Sequence, residues 1–215
     1  HDRLVGQVHQ AVREVSYSDM DYERTAMLMD SVFLFRGYDD PTIGLDDNAA
    51  GLAIAFPERM LALADYYRRN GDSAKWEHWT RKAATTFPYY YRVHSSLSAM
   101  LYAQGDTVAA DSIIQAGVET IGEYVRVMPT TRLYWYFWGK MQELAGLEEE
   151  AERSLERSFY LNPYEGVIFQ EYIGFLSRHG KVQEAGRAAA KWLEYYPTDQ
   201  RARSMVAAAA RAGDG

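Results

Sequence analysis

No cysteine occurs among the 215 residues, so disulfides, zinc thiolate sites and thiol nucleophiles are excluded at once. That absence suits an extracytoplasmic protein that must avoid stray oxidation, although many cytosolic proteins lack cysteine too. No run approaches the roughly 20 apolar residues needed to cross a bilayer, and the mean hydropathy of −0.39 is that of a soluble composition. There is no long basic run either. With a formal charge of −7 and a pI of about 5.3, the chain is a poor partner for nucleic acid or an anionic membrane, which are bound by dense positive charge. Metal spacing is missing from His1, His9, His78, His94 and His179, no glycine-rich phosphate loop follows a strand, and no nucleophile elbow is present. These gaps predict a chain without catalytic residues, cofactor or bound metal. The chain opens at His1 with neither a methionine nor a leader. It therefore reads as an expressed portion, a processed product or a fragment.

Proline is scarce, and its placement is regular. Gly71, Gly105, Gly146, Gly180 and Gly213 are 34, 41, 34 and 33 residues apart, and Pro88, Pro163 and Pro197 each fall 17 residues after a member of that series. A period near 34 with a mid-repeat glycine and a terminal proline marks a tetratricopeptide array of helix–turn–helix units. Residues 132–165 fit best, with Trp135, Trp138, Gly139, Gly146, Ala151, Leu155 and Pro163 on the large, large, small, glycine, alanine, large and proline positions. Residues 166–199 follow with Phe169, Ile173, Gly174, Gly180, Ala185, Ala189 and Pro197, and residues 57–90 follow with Trp76 where alanine is usual. Residues 91–131 run seven residues long, about two helical turns, so a longer second helix or an ordered loop is expected there. Residues 200–212 read as a lone capping helix with Gly213 at the turn after it. The prediction is an all-α, right-handed tetratricopeptide-like array of four helix pairs plus a cap over 47–215, preceded by a non-repeat segment over 1–46.

In that segment, Tyr22 to Phe35 reads as a helix with Ala26, Met29, Val32 and Phe33 on one side. Gly37 to Asp46 is turn-rich, and Asp46 or Asp47 caps a helix that Pro57 kinks or divides. Leu4 to Val15 suits a helix and a strand equally. Asp39-Asp40 and Asp46-Asp47 read as turn and cap rather than as a cation site, since the EF-hand spacing is absent. Glu148-Glu149-Glu150 reads as a solvated helix start.

The aromatic load is heavy, at seventeen tyrosines and five tryptophans. Saccharide stacking is one reading of Tyr134-Trp-Tyr-Phe-Trp138. The stronger one places Trp135 and Trp138 in the core and turns Tyr136 to the groove. The groove positions of each first helix give a candidate partner surface of Arg68, Arg69, Arg92, Tyr102, Tyr136, Lys140, Gln170 and Arg178. It is basic enough to suit an acidic or carboxylate-bearing peptide, and it reads equally well as a plain solvated face. The lysine–asparagine clamp of some such arrays is replaced by Leu61 and Asp65.

The stretch Phe33-Leu-Phe-Arg-Gly37-Tyr-Asp-Asp-Pro41-Thr-Ile-Gly-Leu45-Asp46 resembles one in a family of bacterial integral membrane proteins related to protein O-mannosyltransferases. Leu4-Val-Gly6-Gln-Val8 resembles the segment before it, and the helix running to Leu61-Ala-Leu63-Ala64 resembles that family's first long helix. Where the family tends to carry basic residues, this chain has Asn48-Ala-Ala-Gly51. The family's catalytic acidic residues belong to its membrane portion, so none is carried over. The resemblance implies a soluble, extracytoplasmic, non-catalytic interaction domain, periplasmic or on the cell surface, tethered through upstream segments. The alternative is a free-standing secreted or periplasmic scaffold or assembly subunit. Either implies a protein or peptide partner, with self-association open.

Overall fold

The computed structural model describes residues 20–213, which form helices joined by turns. The ambiguous segment Leu4–Val15 lies outside the described residues. The helices are α1 (Tyr22–Ser31), α2 (Asp47–Ala53), α3 (Ala55–Arg69), α4 (Ser73–Thr86), α5 (Tyr91–Ala103), α6 (Thr107–Val127), α7 (Arg132–Leu144), α8 (Glu148–Leu161), α9 (Gly166–Arg178), α10 (Val182–Leu193) and α11 (Gln200–Gly213). Four pairs, α3/α4 to α9/α10, stack in sequence order, and α11 closes the last face.

The spaced glycines are the inter-helix turns. Gly71, Gly105, Gly146 and Gly180 have φ of 75°, 87°, 76° and 67°, a left-handed backbone that glycine adopts without steric cost. After each, the next N–H reaches back to a carbonyl near the end of the first helix, as in Asp72 N to Tyr67 O (2.9 Å) and Asp106 N to Leu101 O (3.0 Å). Asp72 and Asp106 then cap α4 and α6 by accepting from Lys75 N and Ala109 N. The third and fourth turns carry Leu147 and Lys181 at that place, without a side-chain cap. Glu148, Glu149 and Glu150 occupy the first turn of α8, where the helix dipole favours them. The seven extra residues of the second repeat lie wholly in α6, which has 21 residues against 14 in α4 and in α8.

Several expectations change in detail. The first helix stops at Ser31, so only Ala26 and Met29 of its expected face pack inward, while Val32 and Phe33 are exposed. Asp46 caps α2, and the helix divides at Ile54, three residues before Pro57, which has no N–H for the ladder. Gly213 ends α11 rather than following it. Trp135 and Trp138 are only partly buried, with their indoles donating to Pro129 O (2.8 Å) and Val118 O (2.9 Å), whereas Tyr134 and Phe137 fill the core.

Residues 32–47 form a strap rather than an end cap. The strap runs along the edge made by the inter-repeat turns 87–90 and 128–131. Phe35 and Tyr38 pack on Phe87 with ring centroids 5.3 and 5.0 Å apart. Its backbone is bound by side chains of the array. Tyr124 Oη donates to Tyr38 O (2.9 Å), Leu45 N donates to Tyr134 Oη (3.0 Å), and Thr131 Oγ1 donates to Leu45 O (2.9 Å). Burial pushes the Tyr134 hydroxyl up to about 12, which keeps it neutral and available as a partner.

Candidate binding groove

The first helices of the repeats, α3, α5, α7 and α9, line up their groove positions, and the predicted cations meet carboxylates there. Arg68 and Arg69 both pair with Asp65, at 2.7 and 2.6 Å. Arg92 spans to Glu58 one repeat earlier, with Nη1 at 2.7 and 2.9 Å from its two oxygens, and Tyr90 Oη donates to the same carboxylate. Lys140 lies 2.7 Å from Glu143 and 3.6 Å from Glu171, and Arg178 reaches back from the fourth repeat to Glu143 at 2.6 Å. Arg132, largely buried, sits 3.3 Å from both Asp47 and Glu165. Six cations thus face six carboxylates, and the groove carries no net charge. The remaining predicted residues are also engaged. Tyr102 donates to Asp111, Gln170 accepts from Arg201, and Tyr136 is buried against Tyr91 and Phe137.

The carboxylate half of this ladder was legible in the register. Glu58 and Arg92 are 34 residues apart, and Glu143 and Arg178 are 35 apart. Reading charges across repeats, not along one helix face, finds both pairs.

Glu143 joins the third repeat to the fourth. Burial raises its pKa, but bonds to Lys140 and Arg178 outweigh this and leave the carboxyl below its usual value. A depressed carboxyl contributes stability above the unfolded value near 4.5 and loses it as pH falls through the folded value. We therefore expect Glu143→Gln to cost on the order of 1–2 kcal/mol at pH 7, between an exposed and a buried pair. The cost should vanish in melts run below the folded value. A cost unchanged by acid would show that Glu143 acts through packing alone.

Between the charged rungs the groove opens. A cavity of about 550 Å³ lies between α3, α4 and α5, lined by Leu61, Trp76, Thr80 and Ala99 among others. A second of about 550 Å³ lies between α5, α6 and α7, with Ser95, Ala99, Tyr102 and Leu144 on its walls. They flank α5 because its groove side carries Ser95, Ser96, Ser98, Ala99 and Ala103, which leave room on either side. A cleft of about 350 Å³ follows at the starts of α5, α7 and α9, lined by Tyr91, Leu133, Tyr136 and Val167.

Three of the four paired aspartates have structural tasks. Asp40 accepts from Thr42 N and Oγ1, Asp46 caps α2, and Asp47 accepts from Leu133 N while facing Arg132. Among the described residues no group of three or more histidines, aspartates or glutamates is placed to hold a metal ion. His94 is buried, its Nε2 2.7 Å from Pro88 O, and burial holds its pKa below the usual value.

No family model and no curated protein matches the chain. Solved structures do. The thermophilic TPR protein TTC0263 of Thermus thermophilus is 21% identical over 87% of this chain and 98% of its own, with a TM-score of 0.45. MamA is 17% identical over 71% and 80%, with a TM-score of 0.41. The Cut9–Hcn1 hetero-tetramer of APC/C matches at 12% identity over 71% and 29%, with a TM-score of 0.40. At these levels the chain's own helix pairs and glycine turns define the tetratricopeptide-like fold. No described helix is long and apolar enough to cross a membrane.

Proposed function

We propose that this chain is a non-catalytic scaffold that holds a protein segment in the groove of its first helices, and that apolar and hydroxyl contacts supply the affinity. The observation that carries this is the pairing of groove cations with carboxylates beside two open cavities floored by small side chains. Rungs already neutralised give little long-range attraction to an acidic peptide, whereas room next to Trp76 and Tyr102 accepts bulky apolar side chains. The resemblance at Phe33–Asp46 adds a setting, the extracytoplasmic tail of a membrane glycosyltransferase-like protein, in which the groove holds acceptor proteins or assembly partners.

Selection from a random peptide library tests the groove. Selected peptides should carry bulky apolar residues and lose less than about threefold in affinity between low and high salt, since few ion pairs form. Ala99 is exposed and lines both large cavities. Ala99→Trp should therefore abolish binding at an unchanged melting temperature. Acidic peptides with steep salt dependence, or full binding to Ala99→Trp, would overturn the reading.

A further inference from the structure

Each helix pair turns on a glycine, but the residue before that glycine differs. The four turns read Asn70-Gly71, Gln104-Gly105, Ala145-Gly146 and His179-Gly180. Asn70 and Gly71 are both exposed, and nothing lies within 4 Å of a Cβ built at Gly71. Of the four, only the first sets a short side-chain amide directly before an unshielded glycine nitrogen.

We propose that Asn70 is a site of spontaneous deamidation and isoaspartyl formation, a modification that loosens the first helix pair. The Gly71 nitrogen attacks Asn70 Cγ. The N–Cγ bond forms, the Cγ–Nδ2 bond breaks, and ammonia leaves with the proton that Gly71 gives up. Water then opens the ring imide at either carbonyl. One product is aspartate; in the other the main chain runs through Cβ and Cγ. Glycine favours ring closure because it has no Cβ to crowd the attack and restricts the backbone least. Gln104 would need a larger ring, and Ala145 and His179 carry no side-chain amide. The other asparagines are disfavoured in their own ways. Asn162 precedes Pro163, whose nitrogen has no proton to give up. Asn48 precedes Ala49 in the first turn of α2, where a Cβ crowds the attack and Asp46 Oδ1 holds Ala49 N at 2.8 Å.

The folded turn restrains the reaction. With ψ of 4° at Asn70, Gly71 N eclipses Asn70 N instead of standing over the side chain. Gly71 N also donates to Arg68 O at 3.2 Å, and Asn70 Nδ2 donates to Tyr66 O at 2.8 Å. Ring closure therefore follows a local opening of the turn, and exposed bonds at the ends of elements open at least cost. The products do not restore the turn. Tyr66 O loses its side-chain donor, and a negative charge arrives at the negative end of the α3 dipole. The isoaspartyl linkage adds a main-chain atom to the loop that Asp72 N closes on Tyr67 O. This turn joins α3 to α4 beside the first cavity, whose wall includes Asp65 and Arg68.

The test incubates the intact, folded chain at mildly alkaline pH and maps it by mass spectrometry after proteolysis, with chromatography to separate aspartyl from isoaspartyl peptides. Conversion is expected at Asn70 ahead of Asn48, Asn162 and Gln104, and faster still in the urea-unfolded chain. In Asp72→Ala, which loses the α4 cap that closes the turn, it should run about fivefold faster. Asn70→Gln should stay unconverted, and the converted chain should melt below the unconverted one. Four results would overturn the proposal: no conversion of the folded chain while the unfolded chain converts fully, conversion at Asn48 or Asn162 first, a rate unchanged by Asp72→Ala, or a converted chain that melts with the unconverted one.

Discussion

Gly139→Leu is expected to lower the unfolding free energy by roughly 1–3 kcal/mol or more, while Gly174→Leu stays close to neutral. A Cβ built at Gly139 comes within 2.7 Å of Leu155 Cγ and 3.2 Å of Ala151 O. Leu155 is buried and the carbonyl belongs to α8, so neither can retreat without separating α7 from α8. At Gly174 the added atom meets only Arg178 Nη1 at 3.3 Å, the end of a flexible side chain. The register accounts for the difference: Gly139 is the eighth residue of its repeat and Gly174 the ninth, so Ile173 holds the helix crossing and Gly174 looks away from it. The sequence pattern alone expects overpacking at both. Releasing Gly174 from the helix interior even returns some backbone entropy, up to about 1 kcal/mol. Chemical denaturation of the two variants decides it, since equal midpoints would mean that the crossing is not at Gly139.

The contrast shows where repeat periodicity is a reliable guide. Turn glycines, the longer α6 and the capping helix were legible because each depends on a local rule: a left-handed turn, a helical period, a terminal face. The glycine at Gly186 belongs to another kind. A Cβ there would overlap the Cβ of Ala209 on α11, an approach set by the capping helix, which lies outside the repeat register. The groove was half legible. Its cations lay at the expected positions, but their charge is cancelled partly along the same helix, as by Asp65 for Arg68 and Arg69, and partly a full repeat away, as by Glu58 for Arg92. The strap was least legible. Its turn residues announced a loop, yet nothing local told that Leu45 would be bound 86 and 89 residues further on, by Thr131 and Tyr134. Long-range polar contacts between a loop and a turn edge leave no period in the sequence.

Phe87→Ala should be the most damaging of the single changes at the strap, at about 3–5 kcal/mol. The ring is fully buried and stands at the centre of an aromatic cluster, 5.3 Å from Phe35, 5.0 Å from Tyr38, and 6.3 Å from both Phe56 and Tyr89. Those neighbours come from the strap, α3 and the first inter-repeat turn, so the cavity left by alanine has walls that cannot collapse together. Two effects then follow from one substitution. The array loses transfer free energy and packing at its first repeat, and the strap loses the apolar anchor that holds Phe35 and Tyr38. Its hydrogen bonds to Tyr124, Thr131 and Tyr134 are modest individually, about 1 kcal/mol each, and do not hold it closed alone. Exposed Arg36 lies between the two anchor residues, so trypsin should cleave there much faster in the variant, before global unfolding. Tyr38→Ala combined with Phe87→Ala should cost less than the sum of the two, because both remove the same contact. A loss under 1 kcal/mol with unchanged cleavage at Arg36 would show that the hydrogen bonds, not the aromatic cluster, fasten the strap.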